Sequence, residues 1–557
     1  MEQKPPKNKK EAKKGLFANL TKRQKISVGT LGIVSIAGIF GGLITYIVLP
    51  KGGTCIIGIN EFNLDDIDPL VAYFQEAYIL WQVCEGLFDI DSSGGEPELV
   101  NVLATGHEWN DNATELTVTL RQGVRFHDGT LFNAMAVKWN FDRIYRLIES
   151  FPGLIPWLDI LILPDGRPIL NETLAINDYT VKFVLNEPFV PFLQLLTHIA
   201  TSILSPTSAP PDGFIHLVSD ELVGTGPFIY KTYEPHVNII LSRNRNYWGQ
   251  KPKLDKIELK FYDNETKLMD DFESKKFHLL DWNIAFYTPE TVDLFINNPE
   301  FTVQESILPN YRYVGMNNNS INITMRKAIS YAINYSYLVE YVTEGRGIQI
   351  RSPIPEGCLY SNTTAFDLPE YNISYARKLL KDAGWPGTAI LTANDNVSAG
   401  NEWEMLVIND TPLETYNFSY FNNRLHLRHA AVLPEYFKQI GIKLNENHTS
   451  SFNSQVFIFG WILDYNDPHN ALYSTFNYYN WMELNDNLIE EWMNDGIKET
   501  NSTLREQIYY NIQKRIIEVL YPVAWTCAPF KYEIYVSNLK TYQSNPYKTI
   551  LKNAYIV

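Results

Sequence analysis

Residues 116–138, LTVTLRQGVRFHDGTLFNAMAVK, decide how the rest of the chain is read. Leu116, Val118 and Leu120 alternate with threonines, the period-two pattern of a strand with one face buried. The alternation ends at Gly123, and His127-Asp128-Gly129 has the composition of a tight turn rather than of an acid–base pair. Asn133 stands where a side-chain oxygen can accept from the first free N–H groups of a helix. Behind it Val137, Phe141, Ile144 and Ile148 recur at helical spacing. A strand, a turn and an amphipathic helix in one short stretch predict mixed α/β structure.

The same mixture continues outward in both directions. Cys55–Ile59 predicts a short buried strand. Four more helices are expected over Thr324–Asn334, Ser374–Ala383, Arg428–Ile440 and Leu504–Leu520. In the last, Leu504, Ile508, Ile512, Ile516 and Val519 form the apolar stripe. Strand-like and helix-like segments mix without a repeat after Pro50, so the fold class is α/β. At 557 residues the chain exceeds one compact core and suggests two or three domains.

Charge is unevenly spread over a total of −16. Residues 1–27 hold nine Lys/Arg against two Glu, a net of +7, which leaves −23 for the remainder. So acidic a body repels phosphate, and no nucleic-acid partner is expected. Residues 26–49 contain no charged side chain, and as a helix rising about 1.5 Å per residue they would span roughly 36 Å. With the basic residues in front, the pattern predicts a cytoplasmic tail over 1–25, one transmembrane anchor over 26–49, and an exterior remainder. Thirteen N-x-S/T sequons follow residue 50, which agrees with an exterior location. Asn112, Asn171 and Asn264, in polar, turn-like contexts, are the glycosylation candidates; Asn334, expected inside an apolar helix, is a poor acceptor. Four cysteines (Cys55, Cys84, Cys358, Cys527) show no CxxC spacing, and their pairing is left open.

No HExxH, Walker A, GxGxxG or GxSxG motif is present, and nothing nominates a cofactor or a metal. His426 and His429, three apart beside Arg428, read as a solvated helix start. One stretch has the makings of a binding site: residues 459–468, FGWILDYNDP. Trp461, Asp464 and Tyr465 place a carboxylate between aromatic rings at a strand end, a receptor for a cationic, partly apolar ligand. A solvated turn in which Asp464 only caps the backbone fits the same residues. The three side chains converge only if the chain turns after Trp461, since straight strand geometry puts Asp464 on the face opposite Trp461.

Several segments, in order, resemble the extracellular solute-binding proteins of family 5, the peptide/nickel type that serves ABC importers. They are Ile67–Leu70 with Glu85–Phe88, Thr119–Thr130 with Phe132–Ala134 and Val137-Lys138, Gly224–Phe228, Asn246–Gly249, Arg326–Ile333, Ala376–Trp385 and Gly460–Pro468. Asn334 departs from the family, which usually has Asp there. The resemblance implies a large two-lobed periplasmic-binding-protein-like fold of class II, behind the N-terminal helix. Lobe I would cover 55–308 with an extra subdomain over about 100–220, lobe II 309–524, and 525–557 would return to lobe I. It also implies a monomer that closes on a small ligand, a peptide or alternatively an oligosaccharide, and hands it to ABC permease subunits. It favours Asp464 as the group that receives a ligand amine. A surface-anchored hydrolase is the alternative from another class.

Overall fold

The stretch that opened the reading folds as its pattern predicts. Glu115–Leu120 is a strand with Leu116, Val118 and Leu120 buried, and Ala134–Ser150 is a helix with Val137, Phe141, Ile144 and Ile148 inward. Asn133 Oδ1 accepts the Ala136 N–H at 3.0 Å, and Asp128 closes the turn by accepting the Thr130 N–H at 2.8 Å. The computed structural model describes residues 52–557 apart from 61–65, 73, 93–96, 164, 217–218, 281–287, 449–453 and 546–547. The expected cytoplasmic tail and anchor, residues 1–25 and 26–49, lie outside the described residues.

Three sheets carry the architecture. A four-stranded antiparallel sheet runs Ala104–Trp109, Glu115–Leu120, Thr180–Leu185, Leu170–Asn177. The helix Ala134–Ser150 lies over it, with Phe141 against Phe183 at a centroid distance of 4.7 Å. An eight-stranded sheet centres on Thr54–Asn60, which pairs in parallel with Lys256–Tyr262 and Leu279–Leu280. Its strand order is 301–307, 527–536, 279–280, 54–60, 256–262, 238–243, 228–234, with Gly347–Gln349 added beside 527–536. A five-stranded sheet runs Ile442–His448, Glu414–Tyr420, Val456–Ile462, Asn310–Met316, Val523–Trp525. Separate apolar cores lie on its two faces. The chain passes between the two larger sheets four times, from Ile307 to Asn310, from Met316 to Gly347, from Gln349 to Glu414 and from Trp525 to Cys527.

Several expectations shift. Ile323–Ala332 is a helix, but Asn334 lies beyond its end and caps the next one, Tyr335–Thr343, accepting the Tyr337 N–H at 3.1 Å. The expected helix 504–520 divides into Ser502–Lys514 and a π-helical turn, Arg515–Leu520. The phase shift turns Val519 outward, Leu504 is likewise exposed, and the ionic side chain of Arg505 is buried instead. His426 and His429 are buried, not solvated. His426 accepts the Phe421 N–H, and His429 bonds to the Leu425 carbonyl and to Thr526. All four cysteines are free and buried. No helix among the described residues is long and apolar enough to cross a membrane.

Candidate functional site

A cavity of about 330 Å³ opens between the eight-stranded and five-stranded halves, with Leu308 and Pro309 of the first crossing segment in its wall. Beyond the cavity the halves touch: Val190 N–H donates to the Ile497 carbonyl at 2.7 Å, and the Phe189 and His469 rings meet edge-on at 5.3 Å.

On the five-stranded side the wall is the turn after Val456–Ile462. Gly460 is needed upstream because a Cβ there would fall 2.3 Å from the Arg312 side chain and 2.4 Å from the Tyr311 carbonyl. The chain turns after Ile462, one residue later than convergence of all three would need, and Asp467 caps the helix Pro468–Tyr473. The Asp467 carboxylate is gripped by both terminal nitrogens of buried Arg505 at 2.8 Å. Asn470 then ties the turn together, accepting the Asp464 N–H at 2.8 Å and donating to Asp464 Oδ2 at 3.0 Å.

The turn brings Asp464 and Tyr465 to the cavity but leaves Trp461 out of its wall. Trp461 packs instead on Tyr479 at 5.3 Å. Its indole N–H leans towards Asp464 and favours the charged carboxylate, yet stops short of hydrogen-bond geometry. Part of Asp464's surface faces the cavity, but enclosure by the walls dominates. Desolvation first, then the nearby charge of Asp159, push its carboxyl up to about 7, against a weaker opposing pull from Asn470. Asp159, in the helix Leu158–Leu161 of the other half, is itself raised to about 6 by burial.

The eight-stranded side supplies residues that sequence reasoning did not assign to the site. Glu85 accepts from Tyr247 at 2.6 Å, from Trp248 Nε1 at 2.8 Å and from Thr225 at 2.8 Å. Burial raises its pKa against the pull of these donors. The segments 85–88, 224–228 and 246–249 thus meet around one carboxylate. Gly224 and Gly226 allow the approach, because a Cβ would come within 2.2 Å of the Val83 carbonyl and 2.6 Å of the Gln82 carbonyl. Trp81, Trp157 and Trp248 give the wall its flat apolar area. These residues are too far apart in sequence to form a local pattern; the quoted segments signalled Glu85, Thr225, Tyr247 and Trp248, and nothing signalled Trp81 or Trp157.

Two α/β halves closed on a part-polar cavity define a ligand-binding protein of the two-lobed type. Residues 98–483 match the bacterial extracellular solute-binding proteins, family 5 Middle, and the chain belongs to that family. It is similar to the glutathione-binding protein GsiB of Salmonella typhi, 29% identical over 367 residues that cover 64% of this chain and 65% of the relative. Its fold is that of HbpA2 from Haemophilus parasuis (TM-score 0.76, 19% identity, 91% of this chain and all of the other). It is likewise that of the dipeptide-binding protein from Pseudoalteromonas sp. SM9913 in complex with Met-Leu (TM-score 0.67, 20% identity, 90% of this chain and all of the other). The protein therefore has the mixed α/β, two-lobed fold of the solute-binding proteins.

Proposed function

We propose that this chain is a membrane-tethered, extracellular solute-binding protein that captures a peptide through its free amino terminus and delivers it, as a monomer, to ABC permease subunits. The observation that carries the peptide reading is Asp464: a carboxylate in the cavity wall, tied by Asn470, with no cation paired to it among the described residues. An ammonium group would supply that charge and relieve the desolvation that lifts its pKa. Tyr465 beside it and the tryptophans opposite would pack the ligand's apolar parts; Trp461 would act from behind by supporting Asp464. The glutathione-binding relative and the dipeptide-bound neighbour support a peptide over an oligosaccharide. The lobes are proposed as 55–308 and 309–524, with 525–557 returning to the first and a subdomain over about 100–220.

Calorimetry of the full chain with Met-Leu and with glutathione tests this reading. Asp464→Asn removes the charge at constant size and should weaken the better of the two by about 30-fold or more, since breaking a desolvated, hydrogen-bonded charge pair costs roughly 2–5 kcal/mol. Equal affinity in the variant removes the amine seat. Binding of maltotriose in place of either peptide moves the oligosaccharide reading to first place, and turnover of a bound ligand would favour the hydrolase. The anchor over 26–49 and glycans on Asn112, Asn171 and Asn264, all three exposed, complete the proposal. N-terminal sequencing and glycopeptide mass spectrometry of native protein test them, and a mature chain beginning near Cys55 would overturn the anchor.

A further inference from the structure

The halves also meet away from the ligand cavity. A slot of about 30 Å³ is walled by Ile162, Leu163 and Phe189 of one half and by His469, Tyr473 and Met493 of the other. His469 is 8% exposed, with its ring stacked on Tyr473 at 4.9 Å and met edge-on by Phe189 at 5.3 Å. Its Nδ1 is sealed from solvent and has no hydrogen-bond partner among the described residues.

What surrounds the ring divides by half. Tyr473, Asp467 and Arg505 belong to its own half and stay with it when the lobes part, and Asp467 and Arg505 already pair with each other. Glu490, on the helix Asn487–Gly496, is of the same half and exposed at the slot's rim. Among the described residues, the other half brings the apolar Ile162, Leu163 and Phe189 to the slot. Its Asp165, Arg167 and Glu187 lie at the surface and pair with one another, and its Asp159 bears on Asp464 and Tyr473. Closing therefore takes water from the ring and supplies no charge in return. An imidazolium there would bury a second N–H with nothing to accept it. Desolvation first, against the pull of Asp467 and with help from Arg505, holds the ring's pKa down to about 4. With the lobes apart the ring regains water, and an exposed histidine titrates near 6.5.

We propose that His469 is a proton-sensitive latch between the lobes: the neutral ring lets them close and the charged ring holds them apart. Acid then loosens the grip on a ligand without acting at the ligand's seat. This adds regulation to the solute-binding reading and rests on it for the choice of ligand. Because the open form has the higher pKa, closing between about pH 6.5 and about pH 4 must release the proton that the open form holds, so the closed form loses ground as pH falls. At pH 8 both forms are neutral and the latch is silent.

The test titrates Met-Leu calorimetrically into the full chain and into His469→Phe, which keeps an aromatic ring between Tyr473 and Phe189. From pH 8 to pH 5 wild type should lose about 30-fold more affinity than the variant, the factor set by an open-form pKa near 6.5. Asp464 and Asp159 titrate in both proteins and cancel in that ratio. At pH 5.5, buffers of different ionisation enthalpy should show about one proton more released by wild type than by the variant. An equal loss of affinity in both proteins overturns the latch and leaves the peptide reading standing. No binding of Met-Leu at pH 8 overturns the peptide reading instead. A chain carrying Val190→Cys and Ile497→Cys, oxidised where the two backbones bond at 2.7 Å, then clamps the lobes shut without ligand. There the His469 proton resonance titrating near 4 supports the latch, and titration near 6.5 overturns it.

Discussion

Asp464 shows how enclosure changes what one residue does. From sequence, Asp464→Asn is expected to leave stability almost unchanged, because it keeps the side chain's size and removes only its charge. The structure instead raises the carboxyl from 3.8 to about 7. In the ligand-free protein the folded state then keeps a proton that the unfolded chain releases, so stability falls as pH rises from about 4 to about 7. Asparagine carries no such penalty. Ligand-free Asp464→Asn should melt above wild type at pH 8 and converge with it near pH 4, as read by differential scanning calorimetry. Equal melting at pH 8 would mean that the carboxylate is solvated. The same shift links binding to protons. An ammonium ligand lowers the Asp464 pKa, so binding near pH 6 should release a proton, seen as an apparent enthalpy that varies with the buffer's ionisation enthalpy.

At the scale of elements, the turn that carries Asp464 is held from behind. Arg505 grips Asp467 with two bonds of 2.8 Å and donates Nε–H to the Gly496 carbonyl at 2.7 Å, and both charged side chains are almost fully buried. Removing one partner of such a pair typically costs about 3–5 kcal/mol, because the other charge stays buried alone. Arg505→Ala should therefore lose stability of that order in denaturant unfolding, and in the surviving folded protein ligand affinity should drop although Arg505 does not line the cavity. Gly224→Ala tests the opposite wall. Its Cβ would meet the Val83 carbonyl at 2.2 Å, so the loop that carries Gly224 must move off the end of the helix Phe74–Val83 and the Glu85 seat should loosen with it. Stability lost without any change in binding would sever the seat from the site.

At the scale of the molecule, the contacts between the two halves include Val190 with Ile497 and Phe189 with His469. A ligand that touches both halves adds contacts made only in the closed form, so closure should follow occupancy. Small-angle scattering should show a smaller radius of gyration for the full chain with saturating Met-Leu than without. A radius unchanged by ligand would make the closed form the resting form.

Sequence alone determined a good deal. The alternation at 116–120, the cap at Asn133 and the helical stripe behind it are local properties, so that strand and helix were legible, and the spaced segments from Ile67 to Pro468 carried the family. The acidic body and the position of Asp464 and Tyr465 at a strand end were legible for the same reason. Tertiary structure decided what depends on residues far apart in the chain. It left Trp461 out of the cavity wall, because the chain turns only after Ile462 and Trp461 stays within the strand, its ring on Tyr479. It buried His426, His429 and Arg505, which a linear reading leaves in water, and turned Val519 outward through a π-helical shift that the spacing does not announce. It also gathered Glu85, His198, Asp464 and Lys552 around one cavity, across intervals of up to 467 residues. Local patterning follows from backbone geometry and side-chain period, whereas burial, pairing and the pKa of a carboxylate follow from which distant surfaces close upon it.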